Sequence, residues 1–552
     1  MSATQDTARE ASGADSKNRP EVDYDAVVVG AGFGGLGLIH YLREINCSVR
    51  VIDNADDVGG TWTWNRYPGA RTDSESYYYC LTFSDEMLQE WKWTERYPTW
   101  EETLSYLRYV ADKNDMRKDI QLNTTVTKAL FDEEIGLWSI TTDAGETLRC
   151  KYFISAMGLI SEPYVPQFVG LGRFKGPCFH SARWPSDLDY KGKRVGIIGA
   201  GATSVQIVPV IAPDVESVTL FQRTPNHVIP ARQRPMTPAW EQEIKAGYDE
   251  ILRKCRTHVF GMPFDSPVNR LAVDTPEEER DRIFEELWQE GGFRFCFESF
   301  DDLLNDLDAN EAAAKFIRGK IAEIVDDPKT AELLTPTTYP LFAKRPPLDH
   351  GYFEAFNRDN VHLVDIANTE SIEEITESGV KTSKDEYEFD ILVFATGFDA
   401  LTGALDRLTI QGCDGLTLKD KWQAGPGTFM GVGVHGFPNF FMITGPQAPF
   451  ANLPTTIEQD IQWITRCIDK MEKENFATAE PKAEAERAWG ERCTEVINET
   501  VMKYGDAANS WFLGTNIPGK GPQMLIFFGG ADVYFDLLEE SAQDGFPQLD
   551  FK

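Results

Sequence analysis

Residues 24–54 read "YDAVVVGAGFGGLGLIHYLREINCSVRVIDN", and the order of features along them decides the fold. An apolar run over 24–29 enters a GxGxxG turn made by Gly30, Gly32 and Gly35; a helical stretch follows, and a second apolar run ends on Asp53. Glycines at this spacing permit the tight turn and let backbone amides approach a pyrophosphate at the helix N-terminus, while an acid roughly 20 residues on can hold ribose hydroxyls. The glycine pattern alone is weak evidence. With both strands, the helix and the terminal acid in place, it reads as a dinucleotide-binding βαβ unit.

A second unit lies at 194–224, "RVGIIGAGATSVQIVPVIAPDVESVTLFQRT". Gly199 and Gly201 repeat the first two glycines, but Ser204 stands in the third place, so this helix is expected to sit slightly less close to its strand. Its second strand ends on Gln222-Arg223-Thr224 rather than on an acid. A carboxylate there would repel a 2′-phosphate and a guanidinium would bind it bidentately, which points to NADP(H) here and FAD in the first unit. The expected fold class is α/β: two Rossmann-like dinucleotide-binding domains, one for FAD and one for NADP, with a helical insertion.

The totals narrow the function. A chain of 552 residues exceeds what one core usually serves. With 54 basic against 88 acidic residues the net charge is −34, which opposes phosphate neutralisation and argues against a nucleic-acid partner. The apolar windows 24–42 and 194–212 are broken by glycine turns and are expected to be buried strand–helix entries rather than membrane spans. Nine cysteines without a CxxC pair fit reduced thiols in a cytoplasmic protein, and count against a flavin that reduces a disulfide. The seven histidines are dispersed, so no metal site is expected. Residues 1–22 are polar and read as a disordered tail.

Further motifs carry a family resemblance. "FKGPCFHSARWP" at 174–185 matches the fingerprint FxGxxxHxxxWP through Phe174, Gly176, His180, Trp184 and Pro185, between the two glycine motifs. "GGTWTWNRYPGARTD" at 59–73, "AKRPPLDHGYFEAFNRDNVHLVD" at 343–365, "VFATGFDA" at 393–400, "TGPQAPFANLPTTIEQ" at 444–459 and "NSWFLGTNIPGK" at 509–520 follow in order. From about residue 23 to the C-terminus the chain resembles the type I Baeyer–Villiger monooxygenases, typified by cyclohexanone and phenylacetone monooxygenases. The resemblance implies an NADPH- and O2-dependent flavoprotein that inserts one oxygen next to a ketone carbonyl, through a C4a-peroxyflavin anion, to give an ester or lactone. The alternatives are an N- or S-oxygenating flavin monooxygenase, an NADPH oxidase releasing peroxide, and a nucleotide-bound sensor without turnover.

Roles transfer position by position. On the FAD side the resemblance implies contacts from Gly34 and Asp53, and from Thr61, Trp62, Asp73, Tyr79, Val126 and Leu453. On the NADP side it implies Arg71, Thr72, Gly199, Gly201, Thr203, Ser204, Arg223, Thr224, Lys344, Arg345 and Trp511. Arg345 is the implied catalytic residue, because a fixed guanidinium stabilises a peroxide anion and an oxyanion without donating its own proton. Asp73 is its implied carboxylate partner. Leu159, Phe450 and Leu453 are the implied substrate-pocket residues, apolar and fitted to a hydrophobic ketone. After "NIPGK" the chain reads "GPQ" where relatives often carry another basic residue. His180 is expected to tie the two domains by hydrogen bonds while Phe174 and Trp184 pack the linker. A monomer is the family-based expectation.

The expected organisation places the FAD domain at 23–160 and 386–552, the NADP domain at 161–235 and 336–385, and a helical insertion at 236–335. In this reading "FDILVFATGFDA" is a strand returning to the FAD sheet. "EPYVP" at 162–166 and "ATGFDA" at 395–400 are the expected linkers.

Overall fold

The structure, a computed structural model, describes residues 21–552; the tail expected over 1–22 falls almost wholly outside them. Strands are β1 (Tyr24–Val29), β2 (Val49–Ile52), β3 (Ile120–Gln121), β4 (Val126–Asp132), β5 (Leu137–Thr142), β6 (Thr147–Ser155), β7 (Cys178–His180), β8 (Arg194–Ile198), β9 (Ser217–Gln222), β10 (Val361–Asp365), β11 (Ile391–Phe394), β12 (Thr409–Gln411) and β13 (Phe440–Met442). They build two sheets. The first runs β12-β4-β5-β6-β1-β2-β3 with β13 also paired to β6, and the second runs β10-β9-β8-β11-β7. Every pairing in the second sheet is parallel, and its three inner strands, β9, β8 and β11, are buried along nearly their whole length, as inner strands of a parallel sheet are.

The β1–helix–β2 unit forms as its sequence dictates. Gly30 adopts φ +113°, and a Cβ there would lie 2.3 Å from the carbonyl oxygen of Ala156. Helix α1 (Phe33–Glu44) starts immediately after Gly32 and buries Leu36, Leu38, Ile39 and Leu42. The second unit repeats this through Gly199, at φ +106°, whose Cβ would lie 2.4 Å from the Ala395 carbonyl oxygen. Its helix, α4, spans Ala202–Ile211, after α2 (Thr61–Trp64) and α3 (Trp100–Lys113) of the first half.

One expectation is corrected. β11 does not return to the first sheet: it pairs in parallel with β8 on one side and β7 on the other, so Ile391–Phe394 belongs with the second nucleotide unit. All four residues of β11 are buried, and a strand buried on both faces carries no mark of which sheet it completes. The first sheet instead takes β12 and β13 from the C-terminal segment. Between 236 and 335 the chain is helical, with Pro238–Ala246, Tyr248–Thr257, Glu277–Glu290, Leu307–Ile324 and Pro328–Leu334 as its longer helices. The helix Glu277–Glu290 buries Ile283, Phe284 and Trp288.

Candidate active site

The site grows from the contact between the two glycine-rich units. In the first, the "GGTW" turn closes over the glycine loop: a Cβ at Gly60 would lie 2.9 Å from Gly32 Cα, so two backbones meet with no side chain between them. Asp53, at the end of β2, accepts the N–H of Ala31 through Oδ2 at 2.6 Å and that of Ala55 through Oδ1 at 2.8 Å. It therefore shapes the glycine loop. Burial pushes its carboxyl up, against those two backbone bonds. Gly34 is packed against Ala156 and Ile443, and Trp62 meets Tyr79 edge-on at 5.9 Å beneath the loop. Val126 lies in the apolar layer of the first sheet, in one cluster with Val27 and Ile52.

The second unit differs at its third position. A Cβ at Gly35 would lie 2.0 Å from Gly30 O, whereas at the equivalent place Ser204 keeps its side chain and donates from Oγ to Gly199 O at 2.5 Å. A Cβ at Gly201 would meet no atom within 4 Å, so this loop presents bare backbone. Beyond β9 stand Arg223 and Thr224. Burial, then the charge of Arg223, draws Lys344 down to about 8. Burial also lowers Arg223. Neither cation has a carboxylate partner among the described residues, in a chain of charge −34. Two cations held together without an acid fit an anion such as a 2′-phosphate.

Arg345, next in the chain, turns to a different partner. Its Nη2 donates to Asp73 Oδ2, while Asp73 Oδ1 is buried with no protein partner. The Asp73 side chain is 7% exposed and that of Arg345 22%, so the pair opens on one side only. Burial draws the guanidinium down to about 10, which leaves it charged at neutral pH. The orphaned carboxylate oxygen, the bare glycine backbones and the unpaired cations together fit a flavin dinucleotide in the first unit and a phosphorylated nicotinamide dinucleotide in the second.

The interface between the units is a contact that sequence reasoning missed. Gln206, on α4, accepts the hydroxyl of Tyr67 at 2.8 Å through Oε1 and donates from Nε2 to Arg71 O at 3.1 Å. A Cβ at Gly69 would lie 2.4 Å from the Gln206 carbonyl oxygen, so the "YPGAR" turn seats its glycine on the helix of the other unit. Arg71 and Thr72 thereby lie at the seam, with the Thr72 hydroxyl donating to Ser74 O at 2.7 Å.

The fingerprint 174–185 acts at the linkers. His180 pairs with Phe394 across β7 and β11. Its Nδ1 accepts the Ala182 N–H at 3.1 Å, which leaves Nε2 to donate to Gly397 O at 2.9 Å. Burial pulls the ring down to about 4, so it is neutral at physiological pH. A Cβ at Gly176 would lie 2.3 Å from Asp390 O and 2.9 Å from the Phe174 ring, which explains the Phe-x-Gly spacing. Trp184 packs on Phe179 at 5.2 Å. The two linkers lie side by side: Pro163 and Phe398 form an antiparallel bridge, and the Tyr164 N–H donates to Gly397 O at 2.9 Å.

The loop around Trp511 docks on the same place. Asn516 Nδ2 donates to Phe398 O at 2.9 Å, and Lys520 Nζ bonds Asp399 Oδ1 at 2.6 Å and Thr402 Oγ1 at 3.1 Å. Trp511 meets Phe450 edge-on at 5.4 Å, and Leu159 joins the same apolar cluster with Leu401 and Phe512. Leu453 is not in that cluster; it opens the helix α5 (Leu453–Glu474) and packs on the main core.

Residues 24–260 match the model of the flavin-binding monooxygenase-like family. The chain is 43% identical over 530 residues to a Baeyer–Villiger monooxygenase of Pseudooceanicola batsensis, covering 96% of both chains. It is 42% identical to a cyclohexanone 1,2-monooxygenase of Acinetobacter sp., covering 93% of this chain and 94% of that one. The solved structure of cyclohexanone monooxygenase from Rhodococcus sp. Phi1 bound to NADP+ superposes with a TM-score of 0.93 at 43% identity, over 96% of this chain and 99% of that one. With two nucleotide units, an Arg–Asp pair at their seam and likeness over nearly the whole length, the chain belongs to the flavin-dependent Baeyer–Villiger monooxygenases.

Proposed function

We propose that the enzyme takes FAD on the first Rossmann unit and NADPH on the second, and inserts one oxygen atom from O2 beside the carbonyl of a hydrophobic ketone, giving an ester or lactone. The flavin, when bound, accepts hydride from NADPH and activates dioxygen. The chain's own residues bind, orient and hold charge. Arg223, Thr224 and Lys344 hold the 2′-phosphate, and the Gly201 backbone lies along the pyrophosphate. Arg345, fixed by Asp73, sets a permanent positive charge where a ketone oxygen gains negative charge as its carbonyl is attacked. Trp511, Phe450 and Leu159 exclude water from the apolar side. The loop that Lys520 and Asn516 fasten to the second linker would retain NADP+ through the reaction.

The observation that carries this reading is the Arg345–Asp73 pair, with one carboxylate oxygen engaged and the other buried without a partner. Oxygenation of nitrogen or sulfur uses a protonated oxidant and has no need of that guanidinium. Arg345→Ala is expected to bleach with NADPH at close to the normal rate and to form no ester, returning the consumed NADPH as peroxide. Stopped-flow flavin absorbance and product mass check it; normal ester formation by the variant overturns the assignment. A panel of cyclic, linear and aryl ketones, scored by a product heavier by one oxygen, sets the substrate class. We assign the enzyme to the cytoplasm as a monomer, in keeping with nine unbridged cysteines.

A further inference from the structure

A file of aromatic rings leads from the first nucleotide unit to the surface of α3. Tyr79 lies 5.9 Å from Trp62 and 5.3 Å from Phe33, and Phe33 lies 6.3 Å from Tyr106. Tyr106 is 5.3 Å from Trp91 and 5.1 Å from Trp93, and Trp91 is 5.1 Å from Tyr109. Trp62, Phe33, Tyr106 and Trp93 are buried; Tyr79, Trp91 and Tyr109 are half-buried. Six of these seven rings are oxidisable tyrosines and tryptophans; Phe33, between Tyr79 and Tyr106, is the exception and serves as a bridge, not a carrier. Apolar packing alone asks for volume, not for oxidisable rings at this spacing.

The polar ends of these rings sort them into conductors and a terminus. An oxidised indole or phenol becomes a strong acid, so it retains the lost electron's vacancy only where a base takes its proton. Trp91 Nε1 is buried with no acceptor. Tyr106 shares its hydroxyl only with the backbone of Leu81, accepting the N–H at 2.9 Å and donating to the carbonyl at 3.3 Å. Tyr109 donates to the carboxylate of Glu90 at 2.7 Å, with Lys113 on the same oxygen at 2.6 Å.

We propose that this file is an escape route for oxidising equivalents, from the flavin site to Tyr109. The proposal rests on the reading that Trp62 and Tyr79 line the flavin. Peroxide released when oxygenation misfires takes one electron from a reduced transition-metal ion in solution and splits into hydroxide and a hydroxyl radical; that radical takes one electron from Trp62 or Tyr79 and becomes hydroxide. Each vacancy is refilled by the next tyrosine or tryptophan outward, with the electron from Tyr106 tunnelling across Phe33 to Tyr79. Tyr109 finally gives up one electron, and its phenolic proton passes to Glu90, leaving a neutral tyrosyl radical. A thiol in solution returns one hydrogen atom to the phenoxyl oxygen, and Glu90 releases its proton to water.

The test uses FAD-loaded enzyme, with the flavin excited by a blue flash as the one-electron oxidant and transient absorption and electron paramagnetic resonance as readouts. Wild type is expected to show a tyrosyl radical that persists until thiol is added. Tyr109→Phe is expected to shorten the radical's lifetime by an order of magnitude and to shift its spectrum to tryptophan, while Tyr106→Phe lowers the yield of any surface radical by an order of magnitude. During turnover without ketone, both variants lose activity faster than wild type. Traces from Tyr106→Phe and Tyr109→Phe that coincide with wild type overturn the route. The underlying site reading is checked separately: Trp62→Phe is expected to brighten the flavin's emission, and unchanged emission overturns the placement of the flavin beside Trp62, and the route with it.

Discussion

Lys344 and Arg345 are neighbours in sequence, yet one faces the second nucleotide unit and the other the first. Burial holds Lys344 near 8, with Arg223 adding to the shift, so its charge is complete below that pH in the free enzyme and fades above it. In the proposed reading, attraction for the 2′-phosphate follows the same curve. kcat/KM for NADPH, which reports groups of the free enzyme, is therefore expected to fall as pH rises past about 8, with kcat at saturating NADPH little changed. Lys344→Arg is expected to move that fall to higher pH, since a guanidinium stays charged; a profile identical to wild type removes Lys344 from the phosphate site. The "KRPP" motif made both residues legible as a pair. Gln206 was not: its partners Tyr67 and Arg71 lie 139 and 135 positions away in sequence, and nothing in a polar residue on an apolar helix announces which turn it will meet.

Helix α1 and helix α4 solve one packing problem in two ways, and the difference can be measured. Gly35 faces Gly30 O so closely that Gly35→Ala is expected to push the helix off its strand and release FAD, seen as a lost flavin absorbance in folded protein. Ser204→Ala removes one hydrogen bond to Gly199 and is expected to cost about 1 kcal/mol, with NADPH binding retained. This contrast was readable from the glycine spacing, because a tight turn leaves room for one kind of residue. The sheet that β11 completes was not readable, because four buried apolar residues fit either sheet and only pairing with β8 and β7 decides. That same strand sets the neighbour of His180. His180→Ala deletes the bond to Gly397 without touching Arg345, so it is expected to slow flavin reduction and raise peroxide release several-fold, less than Arg345→Ala does, by oxygen-electrode assay.

Across the whole molecule the helical insertion is anchored by a charge cluster that no motif marks. Arg96, fully buried, donates to Glu75 at 3.0 Å and to Glu290 O at 2.7 Å, and Arg294 of the insertion reaches Glu75 at 3.4 Å. Burial works against the Glu75 charge, but Arg294 and Arg96 outweigh it and hold the carboxyl below its usual range. Glu75→Gln takes from the fully buried Arg96 its buried carboxylate partner, while Arg294 keeps Glu298 at 2.8 Å, and is expected to destabilise the fold by about 3 kcal/mol, lowering the urea midpoint. The pairing escaped the sequence because Glu75 and Arg294 are 219 positions apart, each in a stretch rich in other charges. The linkers carry a last consequence. Gly30 rests on Ala156 and Gly199 on Ala395, the residues from which the two connections depart, and those connections zip together at Pro163 and Phe398. A chimera that exchanges the NADP unit with a relative must therefore cross over at both connections at once. Taking one connection from each parent mismatches the zip and tilts both glycine loops together, and such hybrids should fold yet hold neither nucleotide.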